Sequence, residues 1–175
     1  MATTTDRIVT FAELEQMPDA PDGRYELRHG ELVKVPPPLL PHYRIQLRLQ
    51  ELLAPIARDK GIVGTEFGFR GRSEHEYRVA DVAFVARDRW ARESRYFEGA
   101  PDLVIEILSP SNTAAEMLDK QQLCLENGAK EFWIVDPARK QVKVSTADGR
   151  FIDYKTGQQI PLLFGGAVAV DEIFA

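Results

Sequence analysis

Two carboxylates sit in stretches whose neighbours belong in a protein interior. Glu106 stands at the centre of Leu103-Val104-Ile105-Glu106-Ile107-Leu108, and Asp81 interrupts Val79-Ala80-Asp81-Val82-Ala83-Phe84-Val85. Aspartate is a poor strand former. An unpaired carboxylate taken out of water costs several kcal/mol, a large share of a domain's stability, so each acid calls for a cation, strong donors or a proton. Singly, each has a bland explanation: Glu106 reaches the rim of a short strand or pairs with an Arg, and Asp81 ends a strand by bonding to a loop. Together, about 25 residues apart, they offer the hard oxygen ligands that magnesium or manganese prefers if their strands are neighbours. Lys120 is the third candidate. Glu116, four residues before it, could hold it in a surface helical pair worth about 0.2–0.5 kcal/mol. Alternatively, a helix folded back over the strand of Glu106 would let the long lysine stem carry its ammonium to the acidic site. There it would counter charge developing on an attacked phosphate.

The elements that must position these groups are legible from pattern. Thr10 and Glu13 have capping-box spacing ahead of a short helix, and "RYELRHGELVKV" reads as two strands turning at His29-Gly30. "PPPLLP" breaks regular structure. From Tyr43 to Lys60, Ile45, Leu49, Leu52, Leu53 and Ile56 recur at helical spacing, with Gly61 as the stop and Pro55 inside. "IVGTEFGFRG", "YRVADVAFVA" and "DLVIEILS" are strands of a central sheet. In the last of these, alternation sends Leu103, Ile105 and Ile107 to one face and Val104, Glu106 and Leu108 to the other. A second capping box, Thr113 with Glu116, opens a helix that runs to Asn127, and Gly128 ends it. The strand "EFWIVDP" follows, so the crossover predicts two parallel strands. "QVKVSTADGRFIDYK" is a hairpin about Asp148-Gly149. The expected fold is α/β, a mixed central β-sheet flanked by helices, in one domain spanning 1–175.

The totals narrow the function classes. At 175 residues and 44% hydrophobic the chain can build one sizeable core. No stretch approaches the roughly 18 apolar residues of a spanning helix, and no signal peptide is legible, so a cytoplasmic protein with no membrane partner is expected. One cysteine and three histidines leave no zinc cluster. A net charge of −5 argues against coating nucleic acid by bulk attraction. A local exception is "RDRWARESRYFEG", where Arg87, Arg89, Arg92 and Arg95 alternate with Trp90, Tyr96 and Phe97. Asp88, Glu93 and Glu98 offset that charge, and an ordinary solvated loop or short helix is the plainer reading.

Four segments, "YELRHGELV", "ADVAFV", "PDLVIEILSPSN" and "DKQQLCLENGAKEFWIVDP", in that order, resemble the Uma-type restriction endonucleases, whose fold belongs to the PD-(D/E)XK nuclease superfamily. The resemblance covers nearly the whole chain. It implies a metal-dependent endonuclease hydrolysing phosphodiester bonds in DNA with Mg²⁺ or Mn²⁺. Asp81 matches the metal-binding Asp and Glu106 the acid of the second half-motif, with the backbone carbonyl of Ile107 as a further ligand. The pattern's lysine would fall at position 108, which is Leu108; Uma-type sequences carry theirs on the following helix, here Lys120. Ala80 replaces the usual proline before the Asp. For the superfamily's N-terminal acid, Glu26 and Glu31 both lie in the first hairpin and alternation does not decide between them; Glu31, between Gly30 and Leu32, is the candidate. His42 stands where relatives carry a histidine at a helix start, with capping of the proline loop as its plainer role. Cutting both strands of a duplex favours two-fold symmetry, hence a homodimer. The alternative is a nuclease-fold binding or dimerisation module without turnover.

Overall fold

The computed structural model describes residues 7–90 and 94–175. Arg92 and Glu93 of the basic and aromatic segment lie outside the described residues, as do the first six residues of the N-terminal stretch.

The chain opens with α1 (Phe11–Leu14), closed by its capping box: Glu13 N–H donates to the Thr10 hydroxyl at 3.3 Å and Thr10 N–H to the Glu13 carboxylate at 2.8 Å. Strands β1 (Arg24–Arg28) and β2 (Glu31–Val35) form the first hairpin, with His29 and Gly30 both left-handed at φ 51 and 84°. Helix α2 (Leu40–Ala57) starts inside the proline stretch rather than at Tyr43, because Pro41 falls in its first turn, where no N–H is needed. Its C-cap is Arg58, and Gly61 opens β3 (Gly61–Arg70) instead of ending the helix. A Cβ at Gly61 would lie 2.1 Å from the Val85 carbonyl oxygen, so this strand start requires glycine.

The remaining elements are β4 (Tyr77–Ala86), α3 (Arg87–Trp90), β5 (Phe97–Glu98), β6 (Leu103–Ile107), α4 (Ala114–Glu126), β7 (Glu131–Asp136), β8 (Gln141–Thr146), β9 (Phe151–Lys155), β10 (Gln159–Pro161), β11 (Ala167–Ala169) and α5 (Val170–Ile173). The sheet runs β2-β1-β4-β6-β7-β8-β9, with β3 also paired to β4 and β5 to β3. β6 and β7 are parallel across the α4 crossover, β5 is parallel to β3, and the other pairs are antiparallel. This is the mixed, helix-flanked sheet expected.

Alternation on β6 sorts the core. Leu103, Ile105 and Ile107 join Val82, Phe84, Trp133 and Val135 under Leu49, Leu53 and Ala57 of α2. Val104 points to the other face, with Ala83, Phe132 and Cys124 of α4. A C-terminal cap that no periodicity announced, β10, β11 and α5, adds Ile160, Leu162, Phe164, Val168, Val170 and Ile173 to the α2 side. Among the described residues no helix is long and apolar enough to cross a membrane.

One irregularity of the sheet positions the candidate site. β3 runs along one edge of β4 for nearly its full length. The other edge is shared: β1 reaches only Tyr77, and β6 pairs only from Val82 to Phe84. Among the described residues no strand pairs with Arg78–Asp81 on that edge, which leaves a gap in the ladder.

Candidate active site

Buried backbone polar groups need partners, so side chains must fill this gap. Val79 N–H donates to Glu26 Oε1 at 3.3 Å, and the Val79 carbonyl accepts from Lys120 Nζ at 2.7 Å. Asp81 N–H donates to Glu106 Oε1 at 3.3 Å. From the opposite wall, Ile107 N–H donates to Asp81 Oδ2 at 2.7 Å. Extending the β4–β6 register one step beyond Val82–Ile105 puts Asp81 opposite Glu106. The two acids are therefore cross-strand neighbours where the ladder has just opened, and each accepts a bond from the backbone of the other's strand. In a strand the N–H and C=O of one residue face the same edge, so Ile107 aims its carbonyl at the same gap.

The helices on the two faces of the sheet each hold one acid. Glu106 Oε2 meets Lys120 Nζ of α4 at 2.8 Å, and the two residues are 5% and 7% exposed. Asp81 Oδ1 receives Gln46 Nε2 and His42 Nε2 of α2, each at 3.1 Å. Lys120 arrives where it does because α4 is anchored around it. Thr113 and Glu116 cap the helix. The buried guanidinium of Arg78 binds Asp119, the residue before Lys120, at 3.0 Å and Glu76 at 2.9 Å. The pair Glu116–Lys120 offered by spacing does not form: Glu116 caps the helix and accepts from Arg28 at 3.1 Å, leaving Lys120 to the interior.

The charges are strongly coupled. Burial pushes the Glu106 carboxyl up to about 7 despite the ammonium beside it, and the negative Asp81 adds to that rise. Burial acts to lower the pKa of Lys120, but Glu106, Glu26 and Asp81 outweigh it and hold the amine protonated. Burial likewise acts to raise Asp81; the His42 bond and the Lys120 charge reverse this and keep it low. His42 loses something to burial and regains more from Asp81, so its pKa is raised. The arrangement is a permanent cation, an ionised aspartate and a glutamate that changes charge near neutrality, all facing one gap.

Asp81, Glu106, Lys120 and the Ile107 backbone thus meet at one place, and Glu31 does not. Glu31 lies exposed on β2, the outermost strand, opposite Arg28 at the turn end of the hairpin. Glu26, on the same sheet face but one strand closer, is 1% exposed and bonded to Val79. Burial would raise its carboxyl, and the charges of Lys120, Arg28 and Arg24 together lower it. Strand order, not alternation, separates these two glutamates. Gln46 escaped sequence reading; its one signal was lying a helical turn beyond His42, on the face carrying Leu49 and Leu53.

Among the described residues no three His, Cys, Asp or Glu side chains converge to hold a metal unaided. Side chains would supply two ligands here, leaving the rest to backbone and water, which suits a small cation that keeps much of its hydration shell.

The family model described as "Putative restriction endonuclease", Uma2, matches residues 11–168. The chain is also similar to a solved structure from Anabaena variabilis ATCC 29413, described as "a putative nuclease belonging to DUF820". The two are 21% identical, the match covers 95% of this chain and 97% of that one, and the TM-score is 0.85. No curated protein matches. The structural likeness shows a shared, restriction-endonuclease-like fold, and the family match, extending over most of the sequence, shows that the chain belongs to the Uma2 family.

Proposed function

We propose that this chain is a divalent-metal-dependent endonuclease hydrolysing phosphodiester bonds in DNA, with its centre at the gap between β1 and β6. The observation that carries this reading is the cross-strand pair Asp81–Glu106 with the buried Lys120 ammonium 2.8 Å from Glu106. Two buried acids with a third, Glu26, nearby outnumber the one buried ammonium; burial first, and then the charge of Asp81, raises the Glu106 carboxyl against the pull of Lys120. A divalent cation restores the balance, and the donor set of two carboxylates and a carbonyl is the oxygen chemistry that Mg²⁺ or Mn²⁺ takes. The residues of this chain therefore fit the ion.

Asp81, Glu106 and the Ile107 carbonyl would hold the cation. Bound there, it supplies Lewis acidity to the phosphate and to water. Gln46 and His42 fix the rotation of Asp81, so the ligand is oriented before the ion arrives. Lys120 remains protonated, turned by Glu106 and the Val79 carbonyl, and stabilises negative charge developing on the phosphate oxygens. Glu26 helps keep that ammonium charged. Solvent protonates the leaving oxygen. Cleavage of both strands of a duplex calls for two such centres, hence a homodimer on DNA.

Incubation of supercoiled plasmid with the purified protein and Mn²⁺ or Mg²⁺ tests this. Nicked and linear products are expected only with metal, and Glu106→Gln and Asp81→Asn are each expected to lose at least about a hundredfold in rate. Full activity in Glu106→Gln would overturn the assignment. Saturable metal binding by calorimetry without cleavage would identify a binding module instead.

A further inference from the structure

We propose that a second site, an aromatic cleft beside β5, binds one unpaired nucleobase of the nucleic-acid strand. This rests on the nuclease reading and names how the substrate is gripped. The cleft, of about 380 Å³, is walled by Phe67, Trp90, Tyr96 and Phe97, with Arg89 and Arg95 at its edges. It exists because β5 is short: it pairs with β3 only at Phe69 and Arg70, which leaves the outer edge of β3 at Phe67-Gly68 uncovered while α3 brings Trp90 over it. Phe67 is centred 5.4 Å from Phe97 and 6.3 Å from Trp90, and Trp90 is 49% exposed.

The chemistry of the walls selects the occupant. Ring faces with guanidinium groups stacked on them suit a flat π-system next to an anion, which describes a base and its phosphate. The arginines divide the work. Arg89 is committed to the fold through Asp102 at 3.2 Å and the Ala100 carbonyl at 2.8 Å, with its guanidinium 5.0 Å from the Phe97 ring centre. Arg95 lies over Tyr96 at 5.4 Å with its side chain 81% exposed and, among the described residues, a 3.5 Å contact to Glu15, so it can turn onto a phosphate. Glu98, also in the lining, offers an acceptor for an exocyclic amino group. Stacking also answers the charge problem, since a chain of net charge −5 cannot hold a strand by bulk attraction.

Position ties the cleft to the gap. Phe67 and Gly68 pair across the ladder with Ala80 and Val79, and Val79 is the residue whose carbonyl holds Lys120. The cleft therefore opens one strand, roughly 4.8 Å, beyond the one that carries Asp81. Phe67 and Phe97 pack on the cluster that includes Cys124 of α4, the face from which Lys120 enters. A base drawn out of its stack can lodge there while its strand crosses the gap.

The chain has two tryptophans, and Trp133 is fully buried, so quenching of emission by an oligonucleotide reports Trp90. The full chain is titrated in chelator with a single-stranded 12-mer and with the same 12-mer made abasic throughout. The normal strand is expected to quench. Trp90→Ala, monitored by binding anisotropy, and the abasic strand should each bind roughly 5- to 150-fold more weakly, while Trp90→Phe keeps most of the affinity. Equal affinity for normal and abasic strands, or undiminished binding by Trp90→Ala with an unchanged melting temperature, would overturn the proposal; so would quenching by an apolar peptide and by no oligonucleotide. Plasmid cleavage by the wild-type protein is scored in parallel. Cleavage without base-dependent quenching removes the cleft and leaves the nuclease, whereas quenching without cleavage does the reverse.

Discussion

The strands β6, β7 and β8 and the edge of β4 between Arg78 and Asp81 solve one problem in opposite ways. In the first region Glu131 to Val135 of β7 are in register with both neighbours, and the enclosed side chains, Ile105, Trp133, Val135 and Val144, are apolar. In the second the ladder stops, and Glu26, Glu106 and Lys120 take the backbone bonds that a strand would have made. The lesson is that the acids do two things at once. They satisfy an opened backbone, and in doing so they are held facing one another, so the structural defect and the candidate metal centre are the same object.

The largest expected effect lies in the unbroken region. Trp133→Ala should cost about 3–5 kcal/mol in denaturant unfolding, equally with and without Mg²⁺, because the packing and the indole bond to Glu131 that it removes lie away from the gap; a metal-dependent loss would erase the contrast between the regions. Next comes the gap. Lys120→Met leaves Glu106 buried without its cation and should cost about 3 kcal/mol at pH 8, less at pH 6, where Glu106 takes up a proton. The double variant Lys120→Met/Glu106→Gln should regain most of that stability and none of the cleavage. A double variant no more stable than the single would mean that the pair is not the source of the cost.

A pH series sharpens the same point. Folding raises the Glu106 carboxyl from an ordinary 4.5 to about 7. The folded chain therefore holds a proton that the unfolded chain releases. Its contribution to stability is complete below 4.5 and is lost as pH climbs through 7, a decline on the order of 3 kcal/mol. Glu106→Gln should flatten it in melting curves from pH 4.5 to 8. Because the cation competes with that proton, thermal stabilisation by Mg²⁺ should grow across the same window; a metal effect independent of pH would place the ion elsewhere. The smallest effect is expected at Glu31→Gln, within about 0.5 kcal/mol of wild type and with unchanged plasmid cleavage, whereas Glu26→Gln should slow cleavage by weakening the hold on Lys120.

Much of this was legible in local pattern. The capping boxes at Thr10 and Thr113 and the turn at His29-Gly30 rest on contacts between residues close in sequence, where spacing is sufficient information, and the parallel pair around α4 follows from the strand-helix-strand order, which leaves one crossover hand. The anomaly of two acids in apolar strands was equally visible, because it lies in the immediate neighbours of Asp81 and Glu106. The errors had a common origin in long-range packing. Gly61 looks like a helix stop until Val85 is seen against it, and Glu31 looks equivalent to Glu26 until β1 is placed between β2 and β4. The terminal cap of β10, β11 and α5 has no periodicity of its own and takes its form from the α2 face it covers.

From the residues alone it follows that Asp81 and Glu106 stand in interior-type strands and, if enclosed, must find partners, since a bare buried charge costs several kcal/mol. Which partners they find was decided by the tertiary structure. β1 and β6 share one edge of β4 and do not meet, and the gap they leave admits Lys120 from α4 and His42 and Gln46 from α2. Strand order and ladder length are properties of the whole sheet, set by how its two faces pack, and no local stretch of residues encodes them.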